Sequence, residues 1–166
     1  MKEKRANKPI IIAVAIILAL LAIFGAVMFL YPALEAIHMR NTTLDRIELA
    51  GAGDMIVVSD PRAYEDGIIP ITATAVLEGE DMKAMSSEIL RVTDGASYAE
   101  TRTALMGAWD INIALRTSDG VYTVYFTEGQ FYIIKDVKMF VFDIDKDLIQ
   151  DYGKFYNELY ELTEQG

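Results

Sequence analysis

Cysteine is absent from the chain, which excludes disulfides, thiolate metal sites, cysteine nucleophiles and a lipid-modified cysteine behind a signal. Histidine occurs once, at His38, close after a long apolar run. A serine–histidine pair would have to use that residue, away from any expected pocket. No G-x-S-x-G or S-x-x-K is present, and "KAMS" at Lys83–Ser86 only reverses the second spacing. "GAGD" at Gly51–Asp54 opens like a dinucleotide loop, but Ile56 stands at the third glycine position and no helical pattern follows. Basic clusters interleaved with aromatics are missing as well.

Positive charge is scarce outside the first nine residues. Lys2, Lys4, Arg5 and Lys8 stand there against Glu3, so the head carries +3 of a net −10 and the remainder carries −13. A domain this acidic is repelled by nucleic-acid phosphates and by anionic lipid headgroups, so nucleic acid is excluded as a main partner.

What the chain has in abundance is one uninterrupted apolar segment. Ile10–Tyr31 is 22 residues without a charge. As a helix it would reach roughly 33 Å, enough to cross a hydrocarbon layer of about 30 Å. A secretory signal has a shorter apolar core closed by an A-x-A-like site. Here Ala26 follows Phe24, Ala33 follows Tyr31 and Ala36 follows Leu34, each a poor cleavage arrangement. The segment therefore reads as an uncleaved signal-anchor, with cleavage after Ala36 as the alternative. Basic residues before it place the N-terminus in the cytoplasm and the following domain outside. Ala15, Ala19, Ala22 and Ala26 recur at spacings of four, three and four. They share one helical face, a candidate surface for close helix packing in the membrane through self-association or a partner.

The chain thus divides into a cytoplasmic basic head (1–9), a transmembrane helix (10–31), a juxtamembrane stalk (32–43) and an extracytoplasmic α+β domain (44–166). "NTT" at Asn41–Thr43 matches a glycosylation acceptor by pattern alone. Alternation at Ile47 and Leu49, the "GAGD" turn and Met55–Ser59 predict a β-hairpin. Asp60-Pro61 predicts a short helix, and Ile68–Leu77 a strand with Ile71, Ala73, Ala75 and Leu77 on one face. Asp81–Val92 has helical spacing, with Met82, Met85, Ile89 and Val92 inward. Ser97 and Glu100 form a capping-box pattern for a further short helix.

Trp109, Ile111, Ile113 and Leu115 then share a strand face. With Val121–Thr127, Phe131–Lys135 and Val137–Asp143 they make a four-strand meander. Lys146–Leu162 is an amphipathic helix presenting Leu148, Ile149, Tyr152, Phe155, Tyr156 and Leu159. The third and fourth meander strands carry large residues on both faces. The last helix is expected over one face, and the other needs the Asp81–Val92 helix, the first hairpin or a partner, with cover from within the chain favoured.

One acidic cluster invites a metal reading. Asp143, Asp145 and Asp147 stand at the first, third and fifth positions of a calcium loop, yet Leu148 replaces the sixth-position glycine and Lys154 the terminal Glu. Helix capping by Asp145 or Asp143 explains the cluster better. No cofactor, metal ligand set or catalytic residue follows from the sequence. The reading it favours is a non-catalytic, membrane-anchored module that binds or regulates a protein partner. Its rivals are a small envelope hydrolase using carboxylates and a ligand-sensing domain at the doubly apolar part of the sheet.

Overall fold

The computed structural model describes residues 8–60, 73–103, 111–127 and 129–164. The chain falls into two compact units, Met1–Glu35 and Ala36–Gly166. A single helix, α1, spans Lys8–Glu48 and contributes to both. In the first unit every described side chain from Pro9 to Tyr31 is exposed, and the helix is long and apolar enough to cross a membrane. It is compatible with a transmembrane or signal-anchor helix. Pro32 lies within α1, where it removes one N–H from the ladder without ending the helix.

The second unit begins inside the segment read as a stalk. Ala36, Thr43 and Ile47 are buried, and Met39 and Leu44 pack against the same core. These positions recur at helical spacing, and α1 continues to Glu48. The expected first hairpin is therefore replaced on its first arm: Ile47 enters the core from a helix, and Leu49 is 73% exposed. Two alternating apolar residues were too short a signal for a strand. Extending an existing helix avoids the cost of nucleating a new element. The chain then turns at Gly51–Asp54, where the Gly51 N–H donates to Asp54 Oδ2 at 2.9 Å.

The remaining elements are β1 (Met55–Asp60), β2 (Ala73–Leu77), α2 (Gly79–Thr93), β3 (Ser97–Thr103), β4 (Asn112–Thr117), β5 (Gly120–Thr127), β6 (Gln130–Lys135), β7 (Lys138–Asp143) and α3 (Ile149–Glu164). The strands form one seven-stranded sheet in the order β2-β1-β4-β5-β6-β7-β3, and every pair is antiparallel. The fold is α+β. β4 to β7 form the expected meander, while β1 and β2 extend it at one edge and β3 at the other. The short helix expected after Pro61, the start of the Ile68–Leu77 strand, Trp109 and Asp110 lie outside the described residues.

Ser97–Thr103 is a strand, not the helix that Ser97 and Glu100 suggested. It pairs with β7 through Tyr98 opposite Phe142 and Thr101 opposite Phe140, with an irregularity between Tyr98 and Glu100. The outer edge of β7 offers a row of unpaired backbone groups, and satisfying them outweighs a local capping pattern. The Tyr98 ring also meets Phe142 edge-on, with centroids 6.3 Å apart.

Cross-strand register shows where the core lies. Ile56 faces Leu77 and Leu115, Ile113 faces Val124, and Phe131 faces Phe142. All of these belong to one apolar cluster, which also takes in Ala36 and Ile47 of α1, Met82, Ile89 and Val92 of α2, and Tyr152, Phe155 and Leu159 of α3. The three helical segments of this unit thus cover the same sheet face. α2, one of the three covers considered for the opposite face, does not lie there. Its buried stripe has Ser86 in place of the expected Met85 and adds Thr93, and Met82, Ile89 and Val92 join the cluster under α3. On the opposite face Val57, Tyr132 and Val141 are nonetheless buried, and Tyr125 stacks on Tyr132 with centroids 4.9 Å apart.

α3 is preceded by a 3-10 turn at Lys146–Leu148. Its Tyr152 hydroxyl lies 2.6 Å from the Thr127 carbonyl and 2.7 Å from that of Gln130. One proton shared between them ties the helix to the β5–β6 turn. Ile149, expected on the buried stripe, is instead 44% exposed at the first position of α3.

Candidate functional site

Four places deserve a chemical reading, and the acidic cluster before α3 is the first. Asp143 accepts a hydrogen bond from Gln130 Nε2 at 2.7 Å. Asp145 Oδ1 accepts from the Asp147 backbone N–H at 2.8 Å, and the Asp145 carbonyl accepts from Leu148 N–H at 3.0 Å. Asp145 is thus the cap of the 3-10 turn, and the Asp143 carboxylate serves the neighbouring strand. Among the described residues, no group of three His, Cys, Asp or Glu side chains is placed to hold a metal ion.

The β4–β5 turn is the second. Thr117 Oγ1 donates to Asp119, and Arg46 near the end of α1 forms an ion pair with the same carboxylate. The Arg46 guanidinium also lies 5.5 Å from the centre of the Tyr122 ring. The Thr117 hydroxyl first, and Arg46 after it, hold the Asp119 carboxyl below the usual range. On β3, Arg102 does the same for Glu100. These two displaced carboxylates both favour the charged form and sit on separate elements. A general acid would need the opposite shift. Burial alone pushes the Tyr125 phenol up.

The third is a groove of about 540 Å³ between α2 and α3. Leu77, Met85, Phe155 and Leu162 supply its apolar surface, and Asp81, Glu88 and Glu158 supply its carboxylates. Each helix contributes a stripe: positions 81, 84, 85 and 88 of α2, and 155, 158 and 162 of α3. Glu88 is engaged by Arg91, whose Nε donates to Oε2 at 3.0 Å. Arg91 also reaches Asp151 on α3 at 2.8 Å and so staples the two helices together. Among the described residues, Asp81 and Glu158 pair with no cation. Sequence reasoning missed this groove. Its only sequence signal was Met85, assigned to the buried stripe of α2 but only half-buried because it borders the groove.

The fourth is the small-residue face of α1. Ala15, Ala19, Ala22 and Ala26 are all exposed, and a methyl group added at Gly25 would meet nothing within 4 Å. His38 is exposed on α1, and Asn41 accepts from Arg40 Nε at 3.3 Å. A further depression of about 410 Å³ lies where the Gly51–Asp54 turn meets the start of α2. Its carboxylates, Asp54 and Glu78, oppose the anion that a helix N-terminus would otherwise attract.

No protein-family model matches the chain, and neither a curated protein nor a solved structure is significantly similar to it.

Proposed function

We propose that the protein is a single-pass, membrane-anchored module whose compact unit lies outside the cytoplasm and binds a protein partner without catalysing a reaction. The observation that carries this reading is the charge-free stretch of α1. Its described side chains from Pro9 to Tyr31 are all exposed, and an apolar cylinder of that length is stable in lipid but not in water. The +3 head favours the cytoplasmic side, and the −13 remainder belongs outside. A protein partner is favoured by the apolar groove, in which Asp81 and Glu158 pair with no cation among the described residues. Within the bilayer, Ala15, Ala19, Ala22 and Ala26 form the face through which the span contacts a second helix.

Fractionation with alkaline carbonate tests the anchor, and protease added to intact cells tests the orientation. Full-length chain should stay in the membrane and be cut only beyond the span; a soluble product starting near Ile37 would overturn the reading. In the same membranes, replacing Ala19 and Ala22 together by Ile should abolish helix-to-helix crosslinking at equal abundance. Unchanged crosslinking would remove the alanine face from the proposal.

A further inference from the structure

We propose that the groove between α2 and α3 receives a basic amphipathic helix from a different protein. This inference rests on the partner-binding reading above and specifies where and what the module binds. The walls are two helices, each presenting a stripe at spacings of three and four. A third helix fits between them by the same ridge-and-groove geometry that packs helices in cores. The small Ala84, exposed on the α2 wall, lets that backbone come close. Met85 and Leu162, both half-buried, gain the burial that they lack in the free protein.

Charge selects the occupant. Asp81 and Glu158 are exposed and pair with no cation among the described residues, whereas Glu88 is already matched by Arg91. Two unmatched carboxylates beside an apolar floor reward a helix with apolar residues at i, i+3 or i+4, and i+7, flanked by Lys or Arg. They also argue against a second copy of this chain, because beyond its head each copy carries −13 and like charges would meet.

The absence of cysteine makes the test clean. In the full-length chain in its own membranes, Ala84→Cys gives one attachment point for a short alkyl-diazirine crosslinker. Val121→Cys, 63% exposed on β5, gives a second, remote one. The expected result is an adduct from position 84 to a protein segment with the apolar stripe and flanking basic residues just described. Adding Asp81→Lys and Glu158→Lys should lower its yield about tenfold, with thermal unfolding lowered only slightly, since both residues are exposed and only Asp81 lies in a first helical turn. Should the lysine pair disturb folding, Asp81→Asn with Glu158→Gln must still lower the yield. An adduct to an acidic or non-helical segment, an adduct to this same chain, or a yield indifferent to the substitutions would overturn the proposal. Adducts from position 121 alone would overturn the groove while leaving partner binding intact. Adducts from neither position would overturn both.

Discussion

Replacing Phe155 by Ala tests whether α3 is set on the sheet as described. Phe155 is 2% exposed, packs edge-on against Phe126 with centroids 5.3 Å apart, and lies beside Tyr152 at 6.4 Å. Deleting a buried phenyl ring costs about 3–5 kcal/mol, which includes the transfer of the ring and the cavity left behind. Of that, roughly 0.5–1.5 kcal/mol belongs to aromatic pairing of the Phe126 kind. Because Phe155 also borders the α2–α3 groove, the space can partly refill, and the lower end of the range applies. Against a total stability of about 5–15 kcal/mol, a loss near 3 kcal/mol should lower the thermal midpoint by roughly 10 °C in a unit of this size. Ile149→Ala on the same helix supplies the control. At 44% exposure its truncation should cost no more than about 1 kcal/mol. Thermal unfolding of the full chain in detergent, followed by near-ultraviolet circular dichroism, measures both. Equal midpoints for the two variants, or a larger loss at Ile149, would show that α3 meets the sheet through a different face.

Gly95 has φ +65°, and a Cβ placed there would sit 3.0 Å from Asp145 Oδ2. Gly95→Ala should therefore lose about 1–2 kcal/mol from the left-handed backbone alone, with more from displacing the cap of the 3-10 turn. Gly53→Ala, whose φ is +92° with nothing within 4 Å, isolates the backbone part; denaturant midpoints compare them, and equal losses would refute the Asp145 contact. Thr117→Val should raise the titration midpoint of Asp119, read by carboxyl-carbon NMR, because the Thr117 hydroxyl is the largest cause of its depression. A carboxylate with a depressed folded value stabilises above its unfolded value, near 3.9, and loses that contribution as pH falls through the folded one. In the valine variant the loss should therefore begin at higher pH than in the parent, and an unmoved midpoint would assign the depression to Arg46 instead.

The parts of the fold legible in the sequence are those whose burial has one clear period. β4 shows it in Ile113 and Leu115, both fully buried, alternating with Asn112, Ala114 and Arg116. α2 and α3 show it in three- and four-residue spacing. β3 was illegible for the opposite reason. An edge strand buries little, and Ser97, Ala99, Glu100, Arg102 and Thr103 are all exposed, so its side chains carry no alternation. Its identity comes from the backbone needs of β7, which no local pattern in residues 97–103 records. The end of α1 misled in a third way. Ile47 and Leu49 alternate like a strand, and only the longer series from Ala36 through Thr43 to Ile47 reveals the helix.

The groove was hidden by a different limit. Each wall can be read separately as an amphipathic helix with acids bordering its apolar stripe. On a lone helix, acids in that position signify only the boundary between core and solvent. Their meaning changes when two such boundaries are brought side by side. That apposition depends on the sheet order, because α2 leaves β2 at one edge and leads to β3 at the other, crossing the face on which α3 also lies. Arg91 then joins Glu88 on α2 to Asp151 on α3 and fixes the spacing of the walls at one place. Along the rest of the groove no cation among the described residues bridges the helices, and Asp81 and Glu158 stand there exposed. One helix pair thereby has a closed, internally matched end and an open, unmatched stretch. A core needs only the first of these, and the second is the stretch that the proposed basic helix would meet.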